Sequence, residues 1–245
     1  MHRGEREARV DRDAMKAAAA VAAVDEVRSG MVIGLGTGST AAHAVRDIAR
    51  RVETGNLADV SGIPTSRATE ELAMSLGIPL LEPGDAPMDL AIDGADEIDP
   101  ELNLIKGGGG ALLREKVIAA AAARFVVISD DSKLVGALGS TFALPVEVAR
   151  FGLAITIEAL DAMGRPELRT RDGEVFVTDN GNHVVDLHVD PISDAAGLDS
   201  ALHEIPGVLA TGLFVGITAA AYVADGSGVR LIERQDRAMR GDATQ

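Results

Sequence analysis

The segment from Gly34 to Thr40 has the residue types of an anion-binding loop. Its sequence, Gly-Leu-Gly-Thr-Gly-Ser-Thr, lies between a predicted strand and a predicted helix. Glycines such as Gly38 let the backbone approach a ligand closely, and free amides at a helix N-terminus attract negative charge. The hydroxyls of Thr37, Ser39 and Thr40 add donors, which favours a small phosphate; a tight turn without a ligand is the alternative. Ser39 stands where a dinucleotide-binding G-x-G-x-x-G motif needs its last glycine.

An acidic segment, Asp93-Gly94-Ala95-Asp96-Glu97-Ile98-Asp99, follows directly after a predicted buried strand. In open α/β sheets, ligand sites gather at the carboxyl ends of the strands. The spacing does not match a calcium loop, which needs acceptors at alternate positions and a distal glutamate. The segment is therefore open to three interpretations: an acidic surface loop, a cation site of another kind, or carboxylates that handle substrate hydroxyls and protons.

A third segment, Lys106-Gly107-Gly108-Gly109-Gly110, leads into a predicted helix that carries Glu115. Four consecutive glycines cost conformational entropy, so a plain connector explains them poorly. Backbone that passes very close to a substrate explains them better. For Glu115, a solvated position on the helix surface is the ordinary alternative to a role in chemistry.

The composition excludes several other classes of protein. The chain has no cysteine, so disulfides, thiolate nucleophiles and cysteine-ligated metals are ruled out. A net charge of −15 opposes a broad interface with nucleic acid, and five Phe with one Tyr and no Trp provide few stacking platforms. The five histidines do not cluster, and nothing resembles a Ser/His/Asp arrangement. We therefore expect no metal site. The absence of a long apolar run and of a secretory signal predicts a cytoplasmic protein with no membrane contact.

The order of apolar segments indicates an α/β protein. Short, continuous apolar runs alternate with amphipathic helices over the first ~140 residues, which is typical of a parallel sheet buried on both faces. We predict an open, mostly parallel, Rossmann-like sheet with helices on both faces. Its first helix is predicted from an Asp13 cap to about Arg28. The helix that carries Glu115 is predicted from Gly110 to Ala123.

A second, smaller domain is predicted after Thr141. Strands at Leu144 to Val148, Glu174 to Thr178, His183 to Val189 and Val208 to Val215 alternate with two helices in a β-α-β-β-α-β order. That order predicts an α+β domain of the ferredoxin-like type. The last two predicted strands return to the first sheet. The predicted domains are thus residues 1–141 with 216–245, and residues 142–215.

In combination, these segments closely resemble the type A ribose-5-phosphate isomerases. The resemblance extends in order from about Lys16 to Phe214. It rests on the three segments above with Arg114-Glu115-Lys116, and on Gly62-Ile63-Pro64-Thr65-Ser66, Asp131-Ser132-Lys133, Leu144-Pro145-Val146-Glu147-Val148 and Thr178-Asp179-Asn180-Gly181-Asn182. No single segment is as specific as the set.

The resemblance implies a reaction and a role for each matched residue. The reaction is the cofactor-free and metal-free interconversion of D-ribose 5-phosphate and D-ribulose 5-phosphate through an enediolate, in the non-oxidative pentose phosphate pathway. Glu115 is implied as the general base, with Asp93, Asp96 and Lys106 as its catalytic partners. The implied substrate-binding positions are Thr37, Gly38, Ser39, Thr40, Asp93, Gly94, Ala95, Asp96, Lys106, Gly107, Gly108, Gly109, Lys133 and Lys16.

The expected partner is a small sugar phosphate, and the resemblance implies a homodimer or homotetramer. One alternative is a sugar-phosphate-sensing regulator, which would need a basic DNA-reading element that this acidic chain does not show. Another is a related sugar-phosphate isomerase or deaminase with a substrate of different length.

Overall fold

The structure is a computed structural model that describes residues 3–235, with side chains from Arg12 onward. The helices are α1 (Arg3–Val24), α2 (Ser39–Glu53), α3 (Arg67–Ser75), α4 (Leu112–Ala121), α5 (Leu153–Leu160) and α6 (Ala195–His203), and a short 3-10 helix covers Asp131–Lys133. The strands are β1 (Val32–Leu35), β2 (Ser61–Pro64), β3 (Met88–Asp93), β4 (Glu97–Ile98), β5 (Leu104–Ile105), β6 (Ala122–Asp130), β7 (Leu144–Val148), β8 (Arg165–Leu168), β9 (Thr170–Arg171), β10 (Glu174–Val175), β11 (His183–His188), β12 (Val208–Thr211), β13 (Leu213–Phe214), β14 (Ala220–Asp225) and β15 (Gly228–Glu233).

The main sheet has six strands in the order β15-β14-β6-β3-β1-β2. The pairings from β2 through β14 are parallel, and only the edge strand β15 runs antiparallel to its neighbour. This confirms the predicted open, mostly parallel sheet and the return of the last two strands to it. The segment Ile78 to Leu81, predicted as a further strand, contributes only a single bridge between Leu80 and Gly62.

Successive side chains of the central strands enter two separate cores. On β6, Val126 and Ile128 belong to one core, and Phe125 and Val127 belong to the other. The first core is covered by apolar residues of α1, α2 and α3, and the second by α4 together with the short strands β4, β5 and β13. Alternation along a strand sends neighbouring residues to opposite faces, so a continuous apolar run is what a sheet covered on both sides requires.

The second sheet has the order β12-β7-β11-β8, with every neighbouring pair antiparallel. With α5 after β7 and α6 after β11, this is the predicted ferredoxin-like arrangement. Its second strand is Arg165–Leu168, whereas the sequence pattern placed it at Glu174 to Thr178. That prediction was wrong because Pro166 disguises the true strand, which lies at the sheet edge where a missing N–H is tolerated. Glu174–Val175 pairs instead with Thr170–Arg171 in a two-stranded ribbon.

A small three-stranded sheet, β13-β5-β4, lies beside the main sheet. The predicted strand from Val208 to Val215 breaks at Gly212, where its two halves enter different sheets. The amide of Gly212 donates to Pro145 O at 2.6 Å, and its carbonyl accepts from the amide of Lys106 at 2.9 Å. A side chain at Gly212 would collide with the carbonyl of Lys106. The predicted boundaries between residues 141 and 142 and between 215 and 216 stay predictions.

Two predicted helix ends differ from the structure. Helix α1 begins at Arg3, so Asp13 lies inside it and does not cap it; the strong helix formers before Asp13 extend the helix backwards. The helix ends at Val24, and the following amides of Asp25 and Glu26 bond three residues back, as in a tightening last turn.

Helix α4 begins at Leu112 and not at Gly110, because Gly110 has a φ of +86°. Within residues 3–235, no helix combines the length and the apolar character needed to cross a membrane.

Candidate active site

The predicted site segments meet at the carboxyl edge of the main sheet. Parallel pairing aligns Leu35 of β1 with Ile92 of β3, and Asp93 of β3 with Val127 of β6. The loop from Gly36 to Thr40 after β1, called here the glycine-hydroxyl loop, therefore leaves the sheet on the same side as the acidic segment after β3 and the 3-10 helix after β6. This is the edge at which open α/β sheets bind ligands.

Lys106 lies at the centre of this edge. Its Nζ donates to the carbonyl of Gly94 at 2.5 Å and lies 3.0 Å from Asp93 Oδ2. Strand β5, immediately before it, is held between β4 and β13, which directs the side chain under the acidic segment. The ring centroid of Phe214, on β13, is 5.5 Å from Nζ. Only 2% of Lys106 is exposed, so its charge acts in a dry environment.

Asp93 ends β3 as a buried carboxylate with its oxygens divided between two tasks. Its Oδ1 accepts from the backbone amides of Gly94 at 2.7 Å and of Thr37 at 3.1 Å, while Oδ2 faces Lys106. A side chain at Gly36 would collide with Asp93 Oδ1, so glycine is required where the glycine-hydroxyl loop passes Asp93. Burial raises the pKa of Asp93, although the charge of Lys106 opposes the shift.

Glu115 lies in the first turn of α4, and 5% of it is exposed. Its Oε2 lies 3.5 Å from Lys106 Nζ and is buried without a hydrogen-bond partner among the described residues. Burial raises the pKa of Glu115 to about 8; the attraction of Lys106 opposes this shift, and the negative charges of Asp93 and Asp96 add to it. The pKa of this carboxyl group is therefore close to the value that a general base needs near neutral pH.

The ammonium of Lys106 stays charged in this setting. Burial by itself lowers its pKa, but the negative charges of Asp93 and Glu115 outweigh burial, and the net shift is upward. One buried cation therefore faces two buried carboxyl groups. A fixed positive charge of this kind can stabilise an oxyanion that develops on a substrate.

The glycine run passes directly beside Asp96. The amide of Gly108 donates to Asp96 Oδ2 at 2.8 Å, and a Cβ on Gly108 would lie 2.8 Å from Asp96 Oδ1. Gly107 has a φ of +106°, a conformation that glycine adopts without strain. Arg169, which sequence reasoning did not identify, donates to the carbonyl of Gly107 at 2.7 Å and pairs with Asp186. Only the long-range pairing of β8 with β11 brings these residues together.

The glycine-hydroxyl loop closes the site from the other side. A Cβ at Gly109 would lie 3.7 Å from Thr37 Cγ2, and one at Gly94 would lie 3.8 Å from Thr40 Cβ. All three predicted segments are thus in contact range of one another. Ala95 follows within the same acidic loop and packs partly buried against the core around α4.

The hydroxyl of Thr37 belongs to a buried cluster of hydroxyl groups. Its Oγ1 lies 2.7 Å from both Thr65 Oγ1 and Ser66 Oγ, and 3.2 Å from Thr69 Oγ1. Ser66 also caps α3 through the amide of Thr69. Sequence reasoning placed Ser66 in a segment that resembles the family but gave it no role in the site; its convergence on Thr37 follows from the pairing of β1 with β2.

The two remaining predicted lysines, Lys16 and Lys133, are far apart in the sequence, but both lie at the same edge of the main sheet as Lys106. Lys16 of α1 donates from Nζ to Ser39 Oγ at 3.2 Å, at the first residue of α2. Lys133 ends the 3-10 helix that follows β6, and it is half-buried. Gly38 precedes α2 with a φ of +101°. Within residues 12–235, no group of three His, Asp or Glu side chains is placed to hold a metal ion.

A cavity of about 530 Å³ lies beside another face of α4. Leu113, Arg114 and Val117 line it from the helix, and Asn180 lines it from the turn after β10. Glu115 and Lys106 do not line this cavity. Glu115 and the cavity are therefore on different sides of α4, and Arg114 belongs to the cavity side.

Comparisons with known proteins agree with one another. The family model for ribose 5-phosphate isomerase A (phosphoriboisomerase A) matches residues 61–228. The ribose-5-phosphate isomerase A of Chloroflexus aurantiacus is 50% identical over 224 residues, covering 90% of this chain and 94% of the relative. That of Desulfatibacillum aliphaticivorans is 49% identical over 222 residues, covering 89% of this chain and 96% of the relative.

Solved structures give the same result. A D-ribose-5-phosphate isomerase in complex with phospho-erythronic acid superposes with a TM-score of 0.89 at 37% identity, covering 91% of this chain and 99% of the other. The ribose 5-phosphate isomerase of Plasmodium falciparum superposes with a TM-score of 0.88 at 41% identity, with 91% and 99% covered. The chain therefore belongs to the ribose 5-phosphate isomerase A family.

Proposed function

We propose that this chain interconverts D-ribose 5-phosphate and D-ribulose 5-phosphate through an enediolate, with Glu115 as the general base. Family membership makes the chain a ribose-5-phosphate isomerase, an enzyme of the pentose phosphate pathway. The observation that carries the mechanism is Glu115 Oε2, a buried carboxyl oxygen without a hydrogen-bond partner among the described residues, 3.5 Å from the ammonium of Lys106.

The proposed reaction starts with proton removal from C2 of the open-chain aldose. Glu115 takes the proton, the C–H electron pair forms the C1–C2 double bond, and the negative charge moves to O1. Lys106 stabilises that oxyanion, and a general base of this kind contributes about 10²–10⁴-fold to the rate. Asp93 and Asp96 pass a hydroxyl proton between O2 and O1. Glu115 then returns its proton to C1, the carbonyl forms at C2, and the carboxylate is regenerated.

The proposed phosphate position is the N-terminus of α2. Ser39 and Thr40 begin this helix, and Lys16 already donates to Ser39, so a cation, hydroxyls and free amides come together there. Such a terminus is a ready anion site. A relative forms a complex with phospho-erythronic acid, whose carboxylate on a phosphorylated polyol resembles an enediolate in its distribution of charge, and this supports the proposed intermediate. Binding energy from the phosphate can then hold C1 and C2 against Glu115.

The test is isotope exchange. Ribose 5-phosphate is incubated with the enzyme in D₂O, and NMR follows deuterium at C1 of ribulose 5-phosphate and at C2 of recovered ribose 5-phosphate. We expect incorporation with the wild type and a loss of both incorporation and turnover with Glu115→Gln. Glu204→Gln, an exposed glutamate at the end of α6, is the control. Wild-type turnover in Glu115→Gln contradicts the mechanism, and a loss of activity in EDTA that added metal restores contradicts its metal-free form.

We also infer that the chain forms a homodimer or homotetramer. Phe151 is 94% exposed and Ile155 is 74% exposed, close together in sequence at the start of α5. An exposed apolar pair of this size is characteristic of an interaction surface, and a second copy of the chain is the proposed occupant. Light scattering should give a multiple of the 25.3 kDa chain mass. Phe151→Glu should reduce that mass, and an unchanged assembly would place the interface elsewhere.

A further inference from the structure

Glu147 is a fully buried acid that the proposed chemistry does not use. It lies in the middle of β7, where Val184 of β11 and Ala210 of β12 are its direct neighbours in the sheet. These two neighbours form an apolar cluster with Leu112, the first residue of α4. The helix that carries Glu115 therefore packs on the part of the small sheet where Glu147 lies.

One oxygen of Glu147 collects three hydrogen bonds from a single turn. Its Oε1 accepts from Thr178 Oγ1 at 3.0 Å, from Asn180 Nδ2 at 3.0 Å and from Asn182 Nδ2 at 2.9 Å. The turn is closed by the amide of Gly181, which donates to the carbonyl of Thr178 at 2.9 Å. Burying a charged or polar side chain is costly unless it is hydrogen-bonded, and Oε2 of Glu147 has no hydrogen-bond partner among the described residues, so the acid depends on the three donors to Oε1. Glu147 thus fixes the conformation of the turn.

Asn180 continues the network towards the active site. Its amide nitrogen is engaged by Glu147, and its amide oxygen accepts from Arg114 Nε at 2.8 Å. Arg114 Nη2 also donates to the carbonyl of Asp179 at 3.3 Å. Because Arg114 directly precedes Glu115, these bonds fix the first turn of α4 at the residue next to the proposed base. A side-chain amide held at both ends has a single orientation.

The same turn is tied to the other side of the site. Asp179 Oδ2 accepts from the amide of Arg67 at 2.8 Å, at the first residue of α3. Ser66, the cap of that helix, belongs to the hydroxyl cluster around Thr37. The turn thus connects α4, which carries Glu115, with α3, which lies beside the glycine-hydroxyl loop.

We propose that Glu147 and Asn180 are positioning residues, which act through Arg114 to hold Glu115 at its distance from Lys106. The proposal rests on the proposed function of Glu115. Glu147, a buried acid of the small sheet, would thus determine the position of Glu115 without contacting it. Misplacement of a catalytic group by about 1 Å can cost about 10²-fold in rate, so a network of this kind affects turnover without touching the substrate.

Asn180 and Asn182 provide a matched pair of variants. Both donate an amide N–H to the same oxygen of Glu147, at 3.0 and 2.9 Å, but Asn180 is the one bonded to Arg114. We expect Asn180→Ala to lower kcat roughly 10-fold, with KM changed by less than about twofold, because the tie to α3 and the glycine-hydroxyl loop is made by Asp179 and is kept in this variant. Asn182→Ala should leave kcat within about twofold of the wild type. Thermal unfolding measures, for each variant, the loss of stability that follows the loss of its hydrogen bond to Glu147.

Glu147 provides a rescue experiment. In Glu147→Gln the amide oxygen can accept the same three bonds, and we expect kcat to be retained. In Glu147→Leu no acceptor is left, and we expect kcat to fall at least as much as in Asn180→Ala. The acid limb of the kcat/KM profile is a further readout. A displaced first turn admits water to Glu115, so the limb of Asn180→Ala should move to lower pH.

Equal effects of Asn180→Ala and Asn182→Ala on kcat would overturn the proposal, as would wild-type kinetics in Asn180→Ala. Glu115→Gln is measured in parallel, because it separates the positioning role of Asn180 from the catalytic role of Glu115. If Glu115→Gln is inactive while Asn180→Ala behaves as the wild type, the positioning role alone fails. If Glu115→Gln keeps its turnover, the proposed function fails and the positioning role fails with it.

Discussion

Lys106 Nζ lies 3.5 Å from Glu115 Oε2 and 3.0 Å from Asp93 Oδ2, in a region where all three side chains are almost completely buried. The cation is closer to Asp93, which already has two backbone donors, and farther from Glu115, whose Oε2 has no hydrogen-bond partner among the described residues. The aspartate therefore balances the charge of the lysine, and the glutamate keeps an oxygen available to receive a proton. This division of roles explains how one ammonium can serve two carboxyl groups.

Lys106→Met should affect both activity and stability. The variant leaves Asp93 and Glu115 buried without a counter-charge, and removing one partner of a buried ion pair costs about 3–5 kcal/mol of unfolding free energy. The cost should shrink at low pH, where the carboxyl groups take up protons. Urea unfolding at about pH 5 and about pH 8, together with kcat, measures both effects.

Lys116→Met is the control for that prediction. Lys116 Nζ lies 5.4 Å from the ring centroid of Phe214, and Lys106 Nζ lies 5.5 Å from the same centroid. Lys116 pairs with Asp199, however, and not with a carboxylate of the site. Turnover should persist in this variant. If Lys106→Met retained kcat, the stabilisation of an oxyanion by Lys106 would have to be abandoned.

The pH dependence of activity should follow Glu115. Burial raises the pKa of this group to about 8, and a base works only when deprotonated. The kcat/KM value should therefore rise about tenfold per pH unit below about pH 8 and level off above it. An acid limb near the usual glutamate pKa of 4.5 would instead indicate that the site is wet or that another group is the base.

Stability should change with pH in the opposite direction. The folded state holds a proton on Glu115 up to about pH 8, while the unfolded chain releases it near 4.5, so the folded state binds more protons between these values. The contribution of Glu115 to stability is thus fully present below about pH 4.5 and is lost as the pH rises towards 8. Glu115→Gln should flatten this decline in urea-unfolding curves recorded across the range. Parallel curves for the two proteins would show that Glu115 does not titrate there.

Gly36→Ala should inactivate the enzyme and also destabilise it. A Cβ at this position collides with Asp93 Oδ1 and would lie 2.6 Å from Asp93 Cα, so the carboxylate must leave the amide of Thr37 and the vicinity of Lys106, and the end of β3 must shift as well. A fall in kcat of about 10²-fold is expected from such a displacement. Gly136→Ala is the control, since a Cβ there meets nothing within 4 Å. Activity assays with circular dichroism decide the matter, and unimpaired turnover in Gly36→Ala would show that Asp93 can move freely.

Local residue types were sufficient to select the three segments that the fold brings together in this candidate site. Glycines next to hydroxyls, acids after a buried strand and a glycine run before a helix each indicate ligand chemistry within a few residues. The periodicity was likewise sufficient for the parallel sheet, because a buried strand requires a continuous apolar run. What these patterns could not decide was whether Glu115 faces solvent or the site.

The burial of Glu115 and Lys106 depends on contacts that are distant in sequence. Strand β5 has two residues, Leu104–Ile105, and pairs with Leu213–Phe214 more than a hundred residues later. No local pattern predicts such a pairing, and without it Lys106 has no fixed direction. The same is true of Arg169, whose bond to Gly107 depends on an edge strand that Pro166 disguises. Sequence therefore predicts which residues are available for chemistry, while the long-range pairing decides which of them meet.

Lys16→Ala and Lys133→Ala should weaken substrate binding, Lys16→Ala at the phosphate, and leave turnover largely intact. Lys16 reaches the first residue of α2, where the phosphate is proposed to bind, and Lys133 ends the 3-10 helix that follows β6 at the same sheet edge. A charge-assisted hydrogen bond lost to each variant is worth at least about 1.5 kcal/mol, which corresponds to a rise in KM of roughly 10-fold. Ribose without a phosphate is the internal control for Lys16, because kcat/KM for it should be the same in the wild type and in Lys16→Ala. A collapse of kcat at unchanged KM in either variant would instead place that lysine at the reacting carbons, since only an interaction made in the transition state lowers kcat alone.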